Sequence, residues 1–192
     1  MTSPETDDAT VLLQSVVGVA RAIFGAAASS VFLLDREANE LIFMAVAGQG
    51  EQSLVGTRFP GDRGIAGWVA MSGDAMVVDD LSANNSFARD LAESTEYVPN
   101  SLMAAPLIDA GGEVLGVLEV LDPVPQSRSD LAELDLLLLF AAQAATALRM
   151  VLAQRARQAS EVAALDAVAQ LSPSERASGL QLLDAMRTLL AS

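Results

Sequence analysis

The chain has 192 residues, of which 52% are hydrophobic, so it is long enough for one domain with a substantial core and an extension. It contains no cysteine and no histidine, which excludes thiol nucleophiles, disulfides, histidine-dependent catalytic triads and metal sites built on either residue. The formal net charge of −14 disfavours nucleic acid and anionic membranes as partners. We predict a cytoplasmic protein without a membrane span, because the first ten residues are polar and acidic and no run of about 18 apolar residues occurs.

The first part of the chain predicts a helix followed by a strand hairpin. Apolar residues recur at helical spacing over residues 8–24, and Gly25 ends the pattern. Residues 29–34 and 40–47 are almost continuously apolar, as strands buried on both faces are, and a polar turn joins them into a hairpin. Residues 54–59 predict a short edge strand.

The stretch FPGDRGIAGWVAM, residues 59–71, combines closely spaced glycines with a short helical pattern. Glycine at this density indicates a sharp turn or a close approach of the backbone to a neighbour. The free N–H groups of the following helix favour a negative or accepting group beside them. The alternative is purely structural: the glycines make a turn and let the helix lie flat on a sheet.

The second part predicts another hairpin and a long helix. Residues 75–78 form a short strand, and residues 81–100 are a long polar segment with helical turns around 87–94, a length that is usually functional. Residues 101–108 and 114–121 form the hairpin. Residues 129–170 contain neither glycine nor proline, and one helix of that length, about 60 Å, must break or project.

Beyond residue 150 the apolar stripe of this helix becomes thin. It consists of Leu152, Ala159, Val162, Leu165 and Ala169. A stripe of this kind on a projecting helix indicates a partner helix, and we expect a homodimer. A capping box beginning at Ser172 predicts a last short helix over residues 173–190.

The glycine-rich stretch continuing to residue 81, the loop at Asn85, Ser86 and Phe87, and the hairpin SLMAAPLIDAGGEVLGVLEVLD resemble a GAF domain in order and spacing. The resemblance implies an α+β, profilin/PAS-like fold with a central antiparallel sheet of five or six strands. The N-terminal and long C-terminal helices cover one face, and the roofing segments, residues 61–71 and 81–100, enclose a small-molecule pocket on the other. We therefore predict a GAF-like domain over residues 1–150 and a helical extension over residues 151–192.

This sequence lacks several of the family's ligand-binding motifs, which reduces the number of ligand classes that the pocket is expected to bind. In GAF domains bilins are attached through cysteine, haem is held by histidine, and the methionine sulfoxide reductases of the family use cysteine, so the resemblance implies no cofactor and no enzyme here. Cyclic-nucleotide-binding members carry Asn-Lys after the last strand and then Phe-x-x-x-Asp-Glu. The matching positions read Leu121-Asp122 and LAELDL, in which only Asp135 agrees. An unidentified small metabolite remains, or no ligand.

Strand alternation supplies candidate pocket residues. Every second residue of the strand 114–121 points to the same face, and we expect the face that contains Glu119 to be turned away from the helices. A carboxylate in such an apolar setting needs a partner, a raised pKa or contact with water. The alternative is an ion pair with Arg63 or Arg89 and no ligand. By the family pattern Ser101 and Met103 face the same way. The predicted ligand-binding set is Arg63, Ile65, Trp68, Phe87, Tyr97, Ser101, Met103 and Glu119.

Several of these residue types are also consistent with structural roles. Trp68 is more typical of a core position than of a ligand contact, and Tyr97 is equally typical of a cap on the core under the roofing segment. The adjacent Asp79 and Asp80 suggest a cation site, but neighbouring side chains of a strand point to opposite sides, which favours loop or helix capping.

The resemblance implies a non-catalytic sensory domain that couples pocket occupancy to dimerisation through its N- and C-terminal helices. No kinase, cyclase or DNA-binding pattern follows, so output is expected in trans, on a partner signalling protein. The main alternative is a ligand-free dimeric adaptor whose pocket is filled by side chains such as Met103 and Phe87. A third hypothesis is a hydrolase that uses Glu119 and an aspartate of the roofing segment. This mechanism needs two carboxylates within about 10 Å of each other across an open cleft.

Overall fold

A computed structural model describes residues 8–51, 53–82, 84, 88–95, 97–124, 132–172, 174, 175, 178 and 181. These residues form six strands: β1 (Ala28–Asp35), β2 (Glu40–Gly48), β3 (Arg58–Pro60), β4 (Met76–Val78), β5 (Leu102–Ile108) and β6 (Val114–Leu121). All neighbours are antiparallel, in the order β3-β2-β1-β6-β5-β4. The predicted α+β fold and both hairpins are confirmed. The edge strand is shorter than predicted, because residues 54–57 form a turn and irregular structure before it.

Four helices accompany the sheet in the described residues: α1 (Asp8–Phe24), α2 (Gly64–Ser72), α3 (Arg89–Ser94) and α4 (Glu133–Gln170). α1 ends as predicted, because Gly25 adopts a φ of 59°, the left-handed conformation that closes helices. α4 is one unbroken helix of 38 residues, about 57 Å long. The predicted last helix, residues 173–190, lies almost entirely outside the described residues.

The chain divides into two compact units, Met1–Val151 and Leu152–Ser192. The first contains the sheet, α1, α2, α3 and the first half of α4. The second contains the remainder of α4, whose described side chains are mostly exposed. The sheet and everything that surrounds it therefore belong to the first unit.

A β-bulge determines which side chains of β2 share a face. Val31 pairs with Ala45 and Phe32 with Phe43, which leaves Met44 as the extra residue on β2. The alternation of β2 therefore changes phase at Met44. Residues 43–47 are buried continuously because α1 packs on one face of β2 and the apolar cluster with α2 covers the other.

One face of the sheet packs against α1 and α4. Its buried side chains include Val31, Ala105, Leu118 and Val120. α1 lies against β1, β2 and β6, and its Phe24 ring contacts Phe140 of α4 edge to face at 6.0 Å. α4 contributes a buried stripe at helical spacing: Leu137, Ala141, Ala144, Ala145, Leu148 and Val151. Half of these six residues are alanine.

One described stretch, Glu133–Ala164 in α4, is long and apolar enough by composition to cross a membrane, with a mean hydropathy of 1.9. Part of the same stretch carries the buried stripe just described. A core helix of a water-soluble domain passes the same test. The expectation of no membrane span therefore stays a prediction.

The opposite face is covered by α2. Ile65, Val69 and Ala70 of α2 are buried in one apolar cluster with side chains of the sheet, among them Phe32 and Val117. Gly67 is required here, because a Cβ on it would lie 2.9 Å from the backbone of the turn that precedes α2. Gly67 therefore has a structural role, but its close neighbour is the preceding turn, whereas the sheet had been expected.

Candidate functional site

A cavity of about 120 Å³ lies between the sheet, α2 and the segment 88–99. Its floor comes from β1, β2 and β6 with the start of β5, and its roof from residues 54–66 and 88–99. Most lining side chains are apolar. The described polar residues that line it are Ser30, Gln49, Arg63, Thr95, Tyr97 and Glu119. The free space corresponds to about four water molecules at ~30 Å³ each, well below the pocket of a drug-sized ligand.

Small neighbours leave this space open above β6. Glu119 pairs across the sheet with Ser30 of β1 on one side and Ala104 of β5 on the other. Directly opposed residues of antiparallel strands project to the same face. Ser30 lines the cavity with Glu119, and neither neighbour carries a large side chain that would cover the carboxyl.

Glu119 is the unusual group of the cavity. Its side chain is half-buried, and no hydrogen bond or ion pair reaches its carboxyl from any described residue. Desolvation by the surrounding protein raises the pKa of this carboxyl to about 7. The surface that it retains faces the cavity. A group of this kind is partly ionised near neutral pH and is available to a bound molecule.

Arg63 lies at the edge of the cavity but is committed elsewhere. Its guanidinium donates two hydrogen bonds to the carboxylate of Asp90, at 3.0 and 2.9 Å. This fork joins the start of α2 to the start of α3, so it holds the two parts of the roof together. The alternative in which Arg63 neutralises Glu119 is wrong.

Asp122 fastens the far side of the roof to the end of β6. Its carboxylate accepts hydrogen bonds from the Tyr97 hydroxyl and from the backbone N–H groups of Asn100 and Ser101, the latter two at 2.8 and 2.9 Å. Desolvation pushes the pKa of Asp122 upward, but these hydrogen bonds outweigh it and hold the pKa below its ordinary value. Desolvation and the bond to Asp122 together raise the pKa of Tyr97 to about 12. Tyr97 is therefore a neutral donor at physiological pH.

Aromatic rings supply much of the cavity wall. The chain has six phenylalanines and one tyrosine, and Phe32, Phe43, Phe59 and Tyr97 line the cavity. The rings of Phe32 and Phe43 are 4.2 Å apart between centroids, and those of Phe43 and Phe59 are 5.6 Å apart. The three phenylalanines thus form one continuous aromatic surface.

Four predicted site residues, Arg63, Ile65, Tyr97 and Glu119, line the cavity. Trp68 does not: its side chain is 41% exposed and lies in a separate open depression beside Met71. Trp68 was expected either in the core or in the wall of the ligand pocket, and it lies in neither place. Phe87 lies outside the described residues. Whether any of these residues binds a ligand stays a prediction.

The predicted positions of Ser101 and Met103 are wrong by one residue of register. Met103 pairs with Val120, whose side chain faces α1 and α4, so Met103 is buried on that side of the sheet. Leu102 pairs with Leu121 and occupies the cavity instead. A slip of one residue moves every side chain of a strand to the other face. Ser101 precedes β5, and its N–H and hydroxyl bond to Asp122.

Ser30, Gln49 and Asp122 were not predicted. Ser30 had no signal of its own, since only the pairing of β1 with β6 places it beside Glu119. Asp122 occupies a position of the cyclic-nucleotide-binding motif at which this sequence differs from the family. The sequence analysis noted that difference but did not predict that Asp122 anchors the roof. Asp80 caps its own loop, as the capping alternative predicted, by accepting bonds from the N–H and hydroxyl of Ser82 at 2.8 and 2.6 Å. Within the described residues no acidic cluster suits a metal ion.

The family model of the GAF domain matches residues 8–148. In sequence, the chain is similar to the alpha' subunit of cone cGMP-specific 3',5'-cyclic phosphodiesterase. The Mus musculus subunit is 39% identical over 66 residues, which are 34% of this chain and 8% of that protein. The Gallus gallus subunit is 40% identical over 72 residues, or 38% of this chain and 8% of that protein. The chain therefore matches only a small part of these relatives.

Two solved structures share the fold. The GAF domain of a phosphoenolpyruvate-protein phosphotransferase from Coxiella burnetii has a TM-score of 0.66 at 21% identity, covering 81% of this chain and 89% of that one. Free methionine-R-sulfoxide reductase from Neisseria meningitidis, solved with its substrate, has a TM-score of 0.57 at 24% identity, covering 81% and 83%. At these identities the likeness establishes the fold alone. Together with the family model, the sheet and its covering helices show that this chain belongs to the GAF domain family.

Proposed function

We propose that this protein is a non-catalytic, cytoplasmic sensor that binds a small molecule in the cavity and couples its occupancy to self-association through helices. GAF domains are a regulatory and sensory family that binds small molecules. The observation that carries the proposal is the Glu119 carboxyl, which has no hydrogen-bond or ion-pair partner among the described residues and lies in a mostly apolar cavity. Such a group lowers stability, and groups of this kind concentrate at functional sites.

Hydrolysis by a pair of carboxylates has no support here. Of the described residues that line the cavity, Glu119 alone carries a carboxyl group. Asp90 of the roof is held by Arg63, and Asp122 is held by Tyr97 and two backbone N–H groups. A glycosidase-type mechanism needs two free carboxyl groups facing one substrate.

Exposed apolar side chains on the helices supply a surface for a second copy of this chain. Those of α1 are Val11, Leu12, Val19 and Ile23, and those of the first half of α4 are Leu138, Leu139 and Met150. In the second unit Val162 is exposed as well, while the side chain of Leu165 lies outside the described part. Apolar helical surface of this kind is typical of an interface.

We expect light scattering at micromolar concentration to show a dimer. The double substitution Val19→Glu with Leu139→Glu should dissociate it, because it places charge on the exposed helical surface. Val55→Glu is the matched control: Val55 is exposed in the turn before β3, belongs to neither helix, and should leave the dimer intact. A monomeric wild-type protein would contradict self-association.

The same measurement tests coupling when it is repeated on Ser30→Leu, which fills the cavity with a permanent side chain. Linkage requires that occupancy change the dimer dissociation constant, and couplings of this type are about 5-fold or more. An unchanged constant in a folded Ser30→Leu protein would show that the cavity and the helices are not coupled.

The small volume of the cavity favours a second candidate, a ligand-free dimeric adaptor of the same fold. About 120 Å³ is little space, and a protein interior tolerates a void of this size at a cost in stability. The adaptor predicts the same dimer but no retained molecule, and it gives no reason for an unpartnered carboxyl beside the void.

A further inference from the structure

We propose that the cavity takes a short aliphatic primary ammonium compound, with its ammonium group on the Glu119 carboxylate and its chain against Phe32, Phe43 and Phe59. The proposal rests on the proposed function of the cavity as a ligand site. It adds the chemical class of the ligand.

The charge of the site selects a cation. Glu119 is the one acid among the described residues that line the cavity, and none of the residues that the structure describes pairs with it. Arg63, the one base among them, is already paired with Asp90 through two hydrogen bonds. An anionic ligand would meet Glu119 with no unpaired cation among the described lining residues to offset it, whereas an ammonium group supplies the missing charge and three N–H donors.

The other polar groups that line the cavity can accept hydrogen bonds from the ammonium group of the ligand. Ser30 lies directly opposite Glu119, and its hydroxyl can accept a second N–H bond. Gln49 also lines the cavity, and its side-chain carbonyl is a further acceptor. The Tyr97 hydroxyl donates its hydrogen bond to Asp122, so the contribution of Tyr97 to the cavity is its ring.

The aromatic surface suits a cation and an apolar chain together. The faces of Phe and Tyr rings attract ammonium groups through their quadrupole. The three phenylalanines line the same cavity as Glu119, and Phe32 is the next residue after Ser30 on the cavity face of β1. A ligand with a polar head on Glu119 can therefore lay its alkyl end along these rings.

The volume limits the alkyl end. The cavity holds the equivalent of about four water molecules, so a ligand of on the order of five heavy atoms fits without moving the roof. Isobutylamine has this size. Isobutanol and isobutyrate have almost the same shape with a neutral or a negative head, and these three compounds separate charge from size.

Binding should depend on pH in one direction. Among the described residues, the titratable groups that line the cavity are Glu119, Arg63 and Tyr97. Arg63 is paired with Asp90, and the pKa of Tyr97 is raised to about 12. With the pKa of Glu119 near 7, the fraction of carboxylate rises about tenfold between pH 6 and pH 8. The affinity for isobutylamine should rise with it.

The test is NMR titration of the full chain with each compound, following the ring signals of Tyr97 and of the cavity phenylalanines. We expect isobutylamine to bind at least about tenfold more tightly than isobutanol or isobutyrate at pH 8. Glu119→Gln should abolish this preference and the pH dependence, and Glu113→Gln, an exposed site near the start of the same strand, should keep both. Thermal unfolding of both variants verifies that they fold.

Any other order of affinities overturns the ammonium proposal. If isobutanol or isobutyrate binds in the cavity as tightly as the amine, the ligand class is wrong and the sensor proposal stands. If the preference for the amine survives in Glu119→Gln, the amine binds elsewhere. If none of the compounds shifts the cavity signals, both the ligand class and the readiness of the cavity to accept a molecule are refuted.

Discussion

Glu119→Gln is expected to stabilise the protein by about 2 kcal/mol at pH 8 and by only about 0.5 kcal/mol at pH 5. Desolvation raises the pKa of Glu119 from 4.5 in the unfolded chain to about 7 in the folded one. Between these values the folded state holds a proton that the unfolded state releases, so the free energy of unfolding falls as pH rises and levels off above about 7. For a fully enclosed group the full loss is roughly 3 kcal/mol, and access of water to the cavity reduces it.

Urea unfolding of both proteins at pH 5 and pH 8 measures this effect. Glutamine has the shape and the neutrality of protonated glutamate, so it removes only the ionisation. Glu113→Gln is the control, since Glu113 is exposed and pairs with Arg36 at the surface; its effect should stay within about 1 kcal/mol at both pH values. If Glu119→Gln destabilises the protein at pH 8, the carboxylate has a stabilising partner and the description of an unpartnered group is wrong.

Asp122→Ala is expected to destabilise the protein by about 3 kcal/mol and to loosen the roof of the cavity. The substitution strands the Tyr97 hydroxyl and the N–H groups of Asn100 and Ser101, and hydrogen bonds to a charged group are worth about 1.5–3 kcal/mol each when buried and less when exposed. Because the pKa of Asp122 is lowered in the folded state, its contribution is present above the unfolded value near 4 and is lost as the pH falls further.

Hydrogen exchange distinguishes this effect from a general loss of stability. In Asp122→Ala the amides of residues 97–101 should exchange faster than those of β1 and β6. Tyr97→Phe removes only one of the bonds and should cost about 1 kcal/mol. If the two substitutions have equal effects, the backbone bonds to Asp122 contribute nothing and the roof is held by other contacts.

Local patterns predicted the fold well. α1 starts and ends where its apolar spacing and Gly25 indicated, and β6 occupies the residues that were predicted for it. Signals of this kind depend only on neighbours in sequence. The edge strand β3 was misplaced because its pairing with β2 depends on turns over residues 54–57 that carry no strong signal.

The side chains that face the cavity were harder to predict, since they depend on strand register. Glu119 was assigned correctly from the alternation of one strand. Met103 was not, because its face depends on how β5 pairs with β6. The bulge at Met44 in β2 is likewise invisible in an apolar run. Partnership was the least predictable property: Arg63 was a reasonable partner for Glu119 by charge, but Asp90 lies closer in the fold.

Native mass spectrometry of the protein purified from its own cells, compared with Ser30→Leu purified in the same way, tests the central claim most directly. The account predicts that the wild-type protein carries an additional small mass, released on denaturation, and that the filled cavity of Ser30→Leu carries none. A folded wild-type protein with only its own mass under the mildest conditions, identical to Ser30→Leu in this respect, would contradict the claim that the cavity is a binding site.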